Sequence, residues 1–174
     1  MTECPYCGVE NIDGADHCEE CQQPLDHLSK PRPRSAVERS LAKDRVSSLQ
    51  PKTPLTVAPE QTVGQVLQLM AEQQVGCVIV ERGEQLLGVF SERDALDRLN
   101  VDFAALAQRP VSEFMTRSPE TVEREARIAF AVHKMDVGGY RHLPVVSQGR
   151  VDGMISVRDV LRYITQKLRS ADAT

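Results

Sequence analysis

Apolar positions between residues 53 and 174 follow two spacings, and each spacing occurs twice. Val63, Val66, Leu67 and Met70 stand at i, i+3, i+4 and i+7, which predicts an amphipathic helix, and Ile128, Ala131, Val132 and Met135 repeat that spacing. A short extended segment leads into each helix, Leu55–Val57 in one case and the stretch around Thr121 in the other. Two short runs rich in β-branched residues follow each helix: Cys77–Val80 with Leu86–Phe90, and Leu143–Val146 with Val151–Ile155. Gly83 and Gly149 fall in the turns between them, and a second helix is expected to begin at Ser91 or Ser156. The predicted order is β-α-β-β-α, twice.

Sliding residues 53–109 against 118–174 aligns the two copies at a period of 65 residues. Identical residues then meet at Pro54 and Pro119, Thr56 and Thr121, Val57 and Val122, Met70 and Met135, Gly88 and Gly153, Ser91 and Ser156, and Asp94 and Asp159. Between Met135 and Gly153 the second copy reads as gaining one residue and losing one in its hairpin. One copy alone is too small to bury a sufficient core, so the two are expected to pack through their sheets as one α+β body.

The first 28 residues have few large apolar side chains but hold 4 of the 5 cysteines: Cys4, Cys7, Cys18 and Cys21. Two C-x2-C turns can aim four thiolates at one point and close a tetrahedral Zn²⁺ site, whose binding supplies the folding free energy. The segment CPYCGVENIDGADHCEECQQPL resembles the short zinc-ribbon family, with Asn11, Gly14, Ala15 and Leu25 in the places that family uses and Gln22 where a glycine is usual. Two disulfides or a rubredoxin-like iron site use the same residues, and His17 adjoins a ligand. A closed four-sulfur site leaves no position for substrate, so it is read as structural.

Charge divides the chain in the same way. Residues 1–28 carry 7 acidic and no basic side chains, residues 29–52 carry 7 basic and 2 acidic, and residues 53–174 carry 14 basic and 16 acidic. The organisation expected is a zinc ribbon (1–28), a basic linker with a short helix (29–52), repeat 1 (53–109) and repeat 2 (110–174). Alternating prolines in Ser29–Arg34 make an extended spacer, and Ser35 caps a helix running toward Leu49 that docks lightly as a solvated connector. Wholly apolar runs such as Ile128–Val132 are far short of a membrane span, and no secretory signal opens the chain. Nucleic acid is the weaker choice of partner, because the head is acidic and the neck holds only modest charge.

The repeats resemble the CBS family, named for the cystathionine β-synthase domain, whose tandem pair is called a Bateman module. The resemblance covers about residues 45–168 and rests on Gly88-Val-Phe-Ser91-Glu-Arg-Asp94 and Gly153-Met-Ile-Ser156-Val-Arg-Asp159. Phe114-Met115-Thr116 and Leu143-Pro144-Val145-Val146 add to it. In the plainest reading Ser-x-x-Asp is a helix capping box. The same geometry suits a nucleotide: helix N–H groups, Ser91 or Ser156 and Arg93 or Arg158 for phosphate, with Asp94 or Asp159 accepting from ribose hydroxyls.

The CBS resemblance implies the same assignment, with adenine between the strands. Tyr140, Arg141, His142, Leu143 and Pro144 make the second site the better phosphate site, because the first has only Val75-Gly76-Cys77-Val78 there. Gly76, Thr116 and Ser118 complete the candidates. Cys77 reads as a small buried hydrophobe, His133 as solvated, and His142 either as a structural strand residue or as a contact.

These expectations describe a cytoplasmic, non-enzymatic regulatory module that binds AMP, ADP, ATP or S-adenosylmethionine. The resemblance adds a homodimer through the CBS pair. The ribbon would be an arm for an unidentified protein partner, and no nucleophile stands with a base to suggest catalysis. The alternative is a zinc-ribbon adaptor for nucleic acid or protein that uses the repeats as a dimerisation scaffold.

Overall fold

The computed structural model describes residues 2–4, 6–12, 15–25, 35–99 and 102–172. The fold is α+β. The head contributes an antiparallel pair, β1 (Thr2–Glu3) and β2 (Glu10–Asn11). Helix α1 (Ala36–Lys43) opens on a capping box in which Ser35 Oγ accepts from Glu38 N–H and the Glu38 carboxylate accepts from Ser35 N–H. A 3₁₀ turn, Val46–Leu49, follows. The spacer Ser29–Arg34 and the ribbon's Gly14 lie outside the described residues.

The first copy runs β3 (Thr56–Val57), α2 (Val63–Gln73), β4 (Cys77–Arg82), β5 (Gln85–Ser91) and α3 (Glu92–Leu99). A short helix, α4 (Phe103–Leu106), and a strand, β6 (Thr116–Arg117), lead to the second copy. That copy runs β7 (Val122–Glu123), α5 (Ile128–Gly138), β8 (His142–Ser147), β9 (Arg150–Ser156) and α6 (Val157–Asp172). One sheet has the order β3-β4-β5-β6, with β3 parallel to β4 and the other pairs antiparallel; the other has the order β7-β8-β9. No helix among the described residues is long and apolar enough to cross a membrane.

The hairpins correct one detail of the sequence reading. Helices α2 and α5, strands β4 and β8, and strands β5 and β9 all begin 65 residues apart, so the second copy neither gains nor loses a residue. Each two-residue turn has both central residues at positive φ: Gly83 (57°) with Glu84 (65°), and Gln148 (51°) with Gly149 (77°). A type I′ turn needs the left-handed conformation twice, and its glycine can sit at either place. The glycine changes place between copies, which mimics a one-residue shift.

The chain forms two compact units. One holds the described residues of 52–121 and 144–154. Its core buries Val57, Val63, Val66, Met70, Val78, Val80 and Phe90 with Val111, Phe114 and Met115. Cys77 and Ile79 pack with Met154 in a smaller cluster, and burial pushes the Cys77 thiol up to about 12, as suits an apolar filler. The segment after α4 closes this unit: Val111 N–H donates to Gln61 O (2.8 Å) and Ser112 N–H to Pro59 O (3.2 Å).

The other unit holds the described residues of 1–51, 122–143 and 155–174. Here the neck does what residues 111–112 do in the first unit. Val46 N–H donates to Ala126 O (2.8 Å), Ser47 N–H to Arg124 O (3.0 Å), and Asp44 O accepts from Ile128 N–H (3.0 Å). Val46 and Leu49 are buried. Residues 44–49 are therefore an integral strap and not a lightly docked connector, because two apolar side chains and a set of backbone bonds seat them.

A side-chain latch reinforces the strap. The Asp44 carboxylate accepts from the Tyr163 hydroxyl and pairs with Lys167 Nζ at 3.0 Å. Tyr163 and then Lys167 hold the Asp44 carboxyl below its usual range, and Asp44 raises the Lys167 ammonium. A depressed carboxylate stabilises the fold above its unfolded pKa of about 3.9, and that contribution disappears as pH falls through the folded value. The raised lysine contributes below about 10.4 and loses its part as pH rises through the folded value. Asp44→Asn is expected to lower stability by about 1 kcal/mol at pH 7. In thermal melts the gap to wild type should narrow as pH falls below the unfolded pKa of about 3.9 and close once the folded carboxyl is protonated; a gap that persists in acid would discount the ion pair.

Candidate functional site

The head brings its four cysteines together as expected. Cys4 and Cys21 Sγ are 3.5 Å apart, Cys7 and Cys18 Sγ are 3.5 Å apart, and all four sulfurs lie within 4.8 Å of one another. A tetrahedron with Zn–S bonds of about 2.3 Å has sulfur–sulfur edges of about 3.8 Å, so the donor set fits that ion. All four are free thiols. The two knuckles have the same backbone: Gly8 N–H donates to Cys4 O and Gln22 N–H to Cys18 O, both at 2.9 Å. Gly8 takes φ 81° and Gln22 φ 57°, so the glutamine carries a left-handed strain of about 1 kcal/mol that glycine would not.

Asn11 braces the centre. Its amide nitrogen reaches Cys18 Sγ (3.6 Å) and Val9 O (2.8 Å), and its oxygen accepts from Glu19 N–H (2.9 Å). Burial pushes the Cys7 thiol up to about 12 and raises Cys21 as well. At Cys18 burial acts the same way, but the N–H groups of Cys21 and Glu20 and the neighbouring thiols outweigh it, bringing Cys18 down to about 7. Four thiolates at this spacing need a cation among them. His133, expected to be solvated, instead meets the second knuckle: Gln23 Nε2 lies 2.8 Å from its Nε2. A helix-surface histidine gives no sequence signal for a partner 110 residues away.

The two Ser-x-x-Asp turns both form the capping geometry. Asp94 Oδ2 accepts from Ser91 N–H (3.0 Å) and Ser91 Oγ–H (2.6 Å); Asp159 Oδ2 accepts from Ser156 N–H (2.8 Å) and Ser156 Oγ–H (2.6 Å). Both aspartates are buried. Glu92 N–H donates to Gly76 O and Val157 N–H to Arg141 O, each at 3.0 Å. These bonds bring Gly76 to the start of α3 and Tyr140–His142 to the start of α6. They also correct an expectation, because at each helix start two of the N–H groups meant for phosphate are already engaged. The side chains brought to the start of α6 include Arg141 and Arg158, both exposed.

Of the remaining candidates, Thr116 reaches the first turn, its Oγ–H donating to Asp94 Oδ1 at 2.8 Å. Leu143 and Pro144 are buried strand residues, His142 is half-buried and Tyr140 exposed. Ser118 is an exposed left-handed turn residue (φ 46°), and Arg93 pairs with Asp97 at 4.0 Å. Two arginines were missed. Arg98 Nη2 is 3.2 Å from Asp94 Oδ1, and Arg162 Nη1 is 3.1 Å from Asp159 Oδ1. Their i,i+4 and i,i+3 spacing to an acid was the available signal.

Known proteins give this geometry its context. The family model described as "CBS domain" matches residues 46–101 and 111–166. CBS domain-containing protein CBSCBSPB1 of Arabidopsis thaliana is 30% identical over 125 residues, which are 71% of this chain and 22% of the relative. The chain thus spans about a fifth of that relative's length. The crystal structure of the CBS-domain containing protein ATU1752 from Agrobacterium tumefaciens superposes with a TM-score of 0.65 at 28% identity, covering 68% of this chain and 98% of that one. The CBS domain protein PAE2072 from Pyrobaculum aerophilum, solved complexed with AMP, gives a TM-score of 0.61 at 26% identity, covering 73% of this chain and 99% of that one. With a hydrogen-bonded Ser-x-x-Asp turn closing each β-α-β-β-α copy and both copies matched, the chain belongs to the CBS domain family as a tandem pair.

Proposed function

We propose that the chain is a regulatory module that binds an adenine nucleotide at its second copy, with a structural zinc ribbon as an interaction arm. The observation that carries this reading is the opening of α6. A buried carboxylate, Asp159, stands there with exposed cations, Arg141 and Arg158, brought to the same helix start. Hydroxyl acceptance and phosphate attraction side by side match a sugar-phosphate. The AMP complex of PAE2072 supports the same ligand class.

In the head, Cys4, Cys7, Cys18 and Cys21 would hold Zn²⁺, which supplies a covalent-strength cross-link and no reaction. Free thiols at this density suit the cytoplasm. The exposed Val157, Leu161 and Leu168 of α6, spaced four and seven residues apart, support a homodimer through that helix.

A thermal-shift titration of the zinc-loaded protein with AMP, ADP, ATP, S-adenosylmethionine and GTP tests the reading. Adenine compounds should stabilise in proportion to the logarithm of their concentration above Kd, by about 2.7 kcal/mol at a hundred times Kd. Asp159→Ala should lose at least nine-tenths of that stabilisation while melting cooperatively on its own. No stabilisation by any compound at millimolar concentration would sink the nucleotide reading. It would leave the adaptor reading, which the internal hydrogen bonds from each serine to its own aspartate favour: the repeats as a scaffold and the ribbon as the functional surface for protein or nucleic acid.

A further inference from the structure

Helices α2 and α5 share an inner apolar face and differ on the outer one. On α2 the outer positions Gln65, Gln68 and Glu72, spaced i, i+3 and i+7, are all exposed, and Gln68 Nε2 donates to Glu72 Oε1 at 2.8 Å. At the equivalent places α5 carries Phe130, His133 and Val137. Phe130 is buried, with the Lys134 ammonium 4.8 Å from its ring centroid; His133 is half-buried, and Val137 is 73% exposed. A solvated polar row in the first copy is thus a largely apolar stripe in the second, covered at one end. A helix that is apolar on two faces calls for a second neighbour.

Two parts of the N-terminal segment, in the same compact unit, supply it. Helix α1 lies against α5, and the head reaches His133 through Gln23, whose Nε2 is 2.8 Å from His133 Nε2 and 3.2 Å from its Nδ1. An amide N–H can only donate, so it takes the ring nitrogen that carries no proton. The main chain around Gln23 is fixed by the cysteine site. Gln23 O accepts from Cys18 N–H (2.8 Å), Leu25 N–H donates to Asp16 O (2.8 Å), and His17 and Pro24 form a β-bridge. The knuckle that turns Cys18 and Cys21 toward the centre therefore also aims the side chain that meets α5. Opening that knuckle takes away its support.

We infer that the outer face of α5 is a metal-gated dock: the head rests on it through Gln23 and His133 while its four cysteines hold the ion, and leaves it when the ion is lost. The resting partner of the head is then the second copy of its own chain. The inference rests on the zinc reading above, and its test separates the two.

Diethyl pyrocarbonate acylates accessible imidazoles, and mass spectrometry of the full-length chain reads His133 apart from His17, His27 and His142. In the zinc-loaded protein His133 should react slowly. Chelation should speed it roughly fivefold or more, as local release of a covering segment does, while His142 in β8 keeps its rate. Gln23→Ala should speed it as much with the metal still bound, because alanine keeps the carbonyl that Cys18 N–H needs; the zinc content of the variant checks this. Equal His133 rates in all three samples would overturn the inference. A rate raised by Gln23→Ala and not by chelation would overturn the gating. If the protein takes up no zinc, the ribbon reading fails and the gating with it, and Gln23→Ala alone then upholds or overturns the dock.

Discussion

With Zn²⁺ in the proposed four-cysteine site, chelation is expected to unfold the head while residues 46–166 keep their own melting transition. Among the described residues of the head the buried side chains are Cys4, Cys18, Cys21, Leu25 and Asn11. A single leucine and three thiols cannot offset the entropy of ordering some twenty residues at about 1–2 kcal/mol each. In small zinc peptides the metal contributes roughly 10–16 kcal/mol, enough to offset an entropy cost of this kind. Cys18→Ser should act like the chelator, since it removes one sulfur and the acceptor that Asn11 reaches. The measurement is limited proteolysis with mass spectrometry, before and after chelation, read alongside the His133 imidazole resonances that report the Gln23 contact. A head that stays protected in the metal-free protein, with those resonances unmoved, would rule out metal-dependent folding.

Gly88→Ala is expected to lower the stability of the first unit by about 3 kcal/mol. A Cβ at that position would lie 2.6 Å from Thr116 O and 2.7 Å from Met115 Sδ. The clash is with backbone, so no side chain can swing aside to relieve it. Strand β6 would have to lift from β5, where Gly88 pairs with Arg117 and Val89 with Thr116. That movement pulls Thr116 away from Asp94 and loosens the carbonyls that hold Arg98. Denaturant unfolding measures the stability; a loss under 1 kcal/mol would mean that β6 is not held at this distance. Ala is the right probe, because a larger residue would confound crowding with lost β pairing.

Most of the fold could be read from spacing. Val63, Val66 and Met70, chosen from their i, i+3, i+7 pattern, are all buried, and so are Ile128, Ala131 and Met135. Period and turn residues are local properties, and the copies confirm each other. What could not be read was long-range. Nothing in Val46 or Leu49 says that they complete the second copy, because two apolar residues in a polar neck have no periodicity to analyse. Serine, aspartate and Thr116 in the turns were legible from their pattern. Arg98 was not, since an arginine four residues after an acid is usually a solvated surface pair. Its meaning comes from Phe114 and Met115 carbonyls that only the fold presents.

The strap also sets an order of events during synthesis. Val46 and Ser47 bond to Ala126 and Arg124, about eighty residues downstream, whereas Val111 and Ser112 bond to Gln61 and Pro59, about fifty residues upstream. The first copy can therefore seat its closing segment as soon as that segment emerges. The strap leaves the ribosome early and must wait, with Val46 and Leu49 uncovered, until the start of α5 has been made. Contacts of such sequence separation form slowly and leave apolar surface exposed in the meantime. A chain halted between the two copies would thus carry an uncovered apolar strap together with an already closed repeat, and the second copy is the part whose folding depends on segments about eighty residues apart.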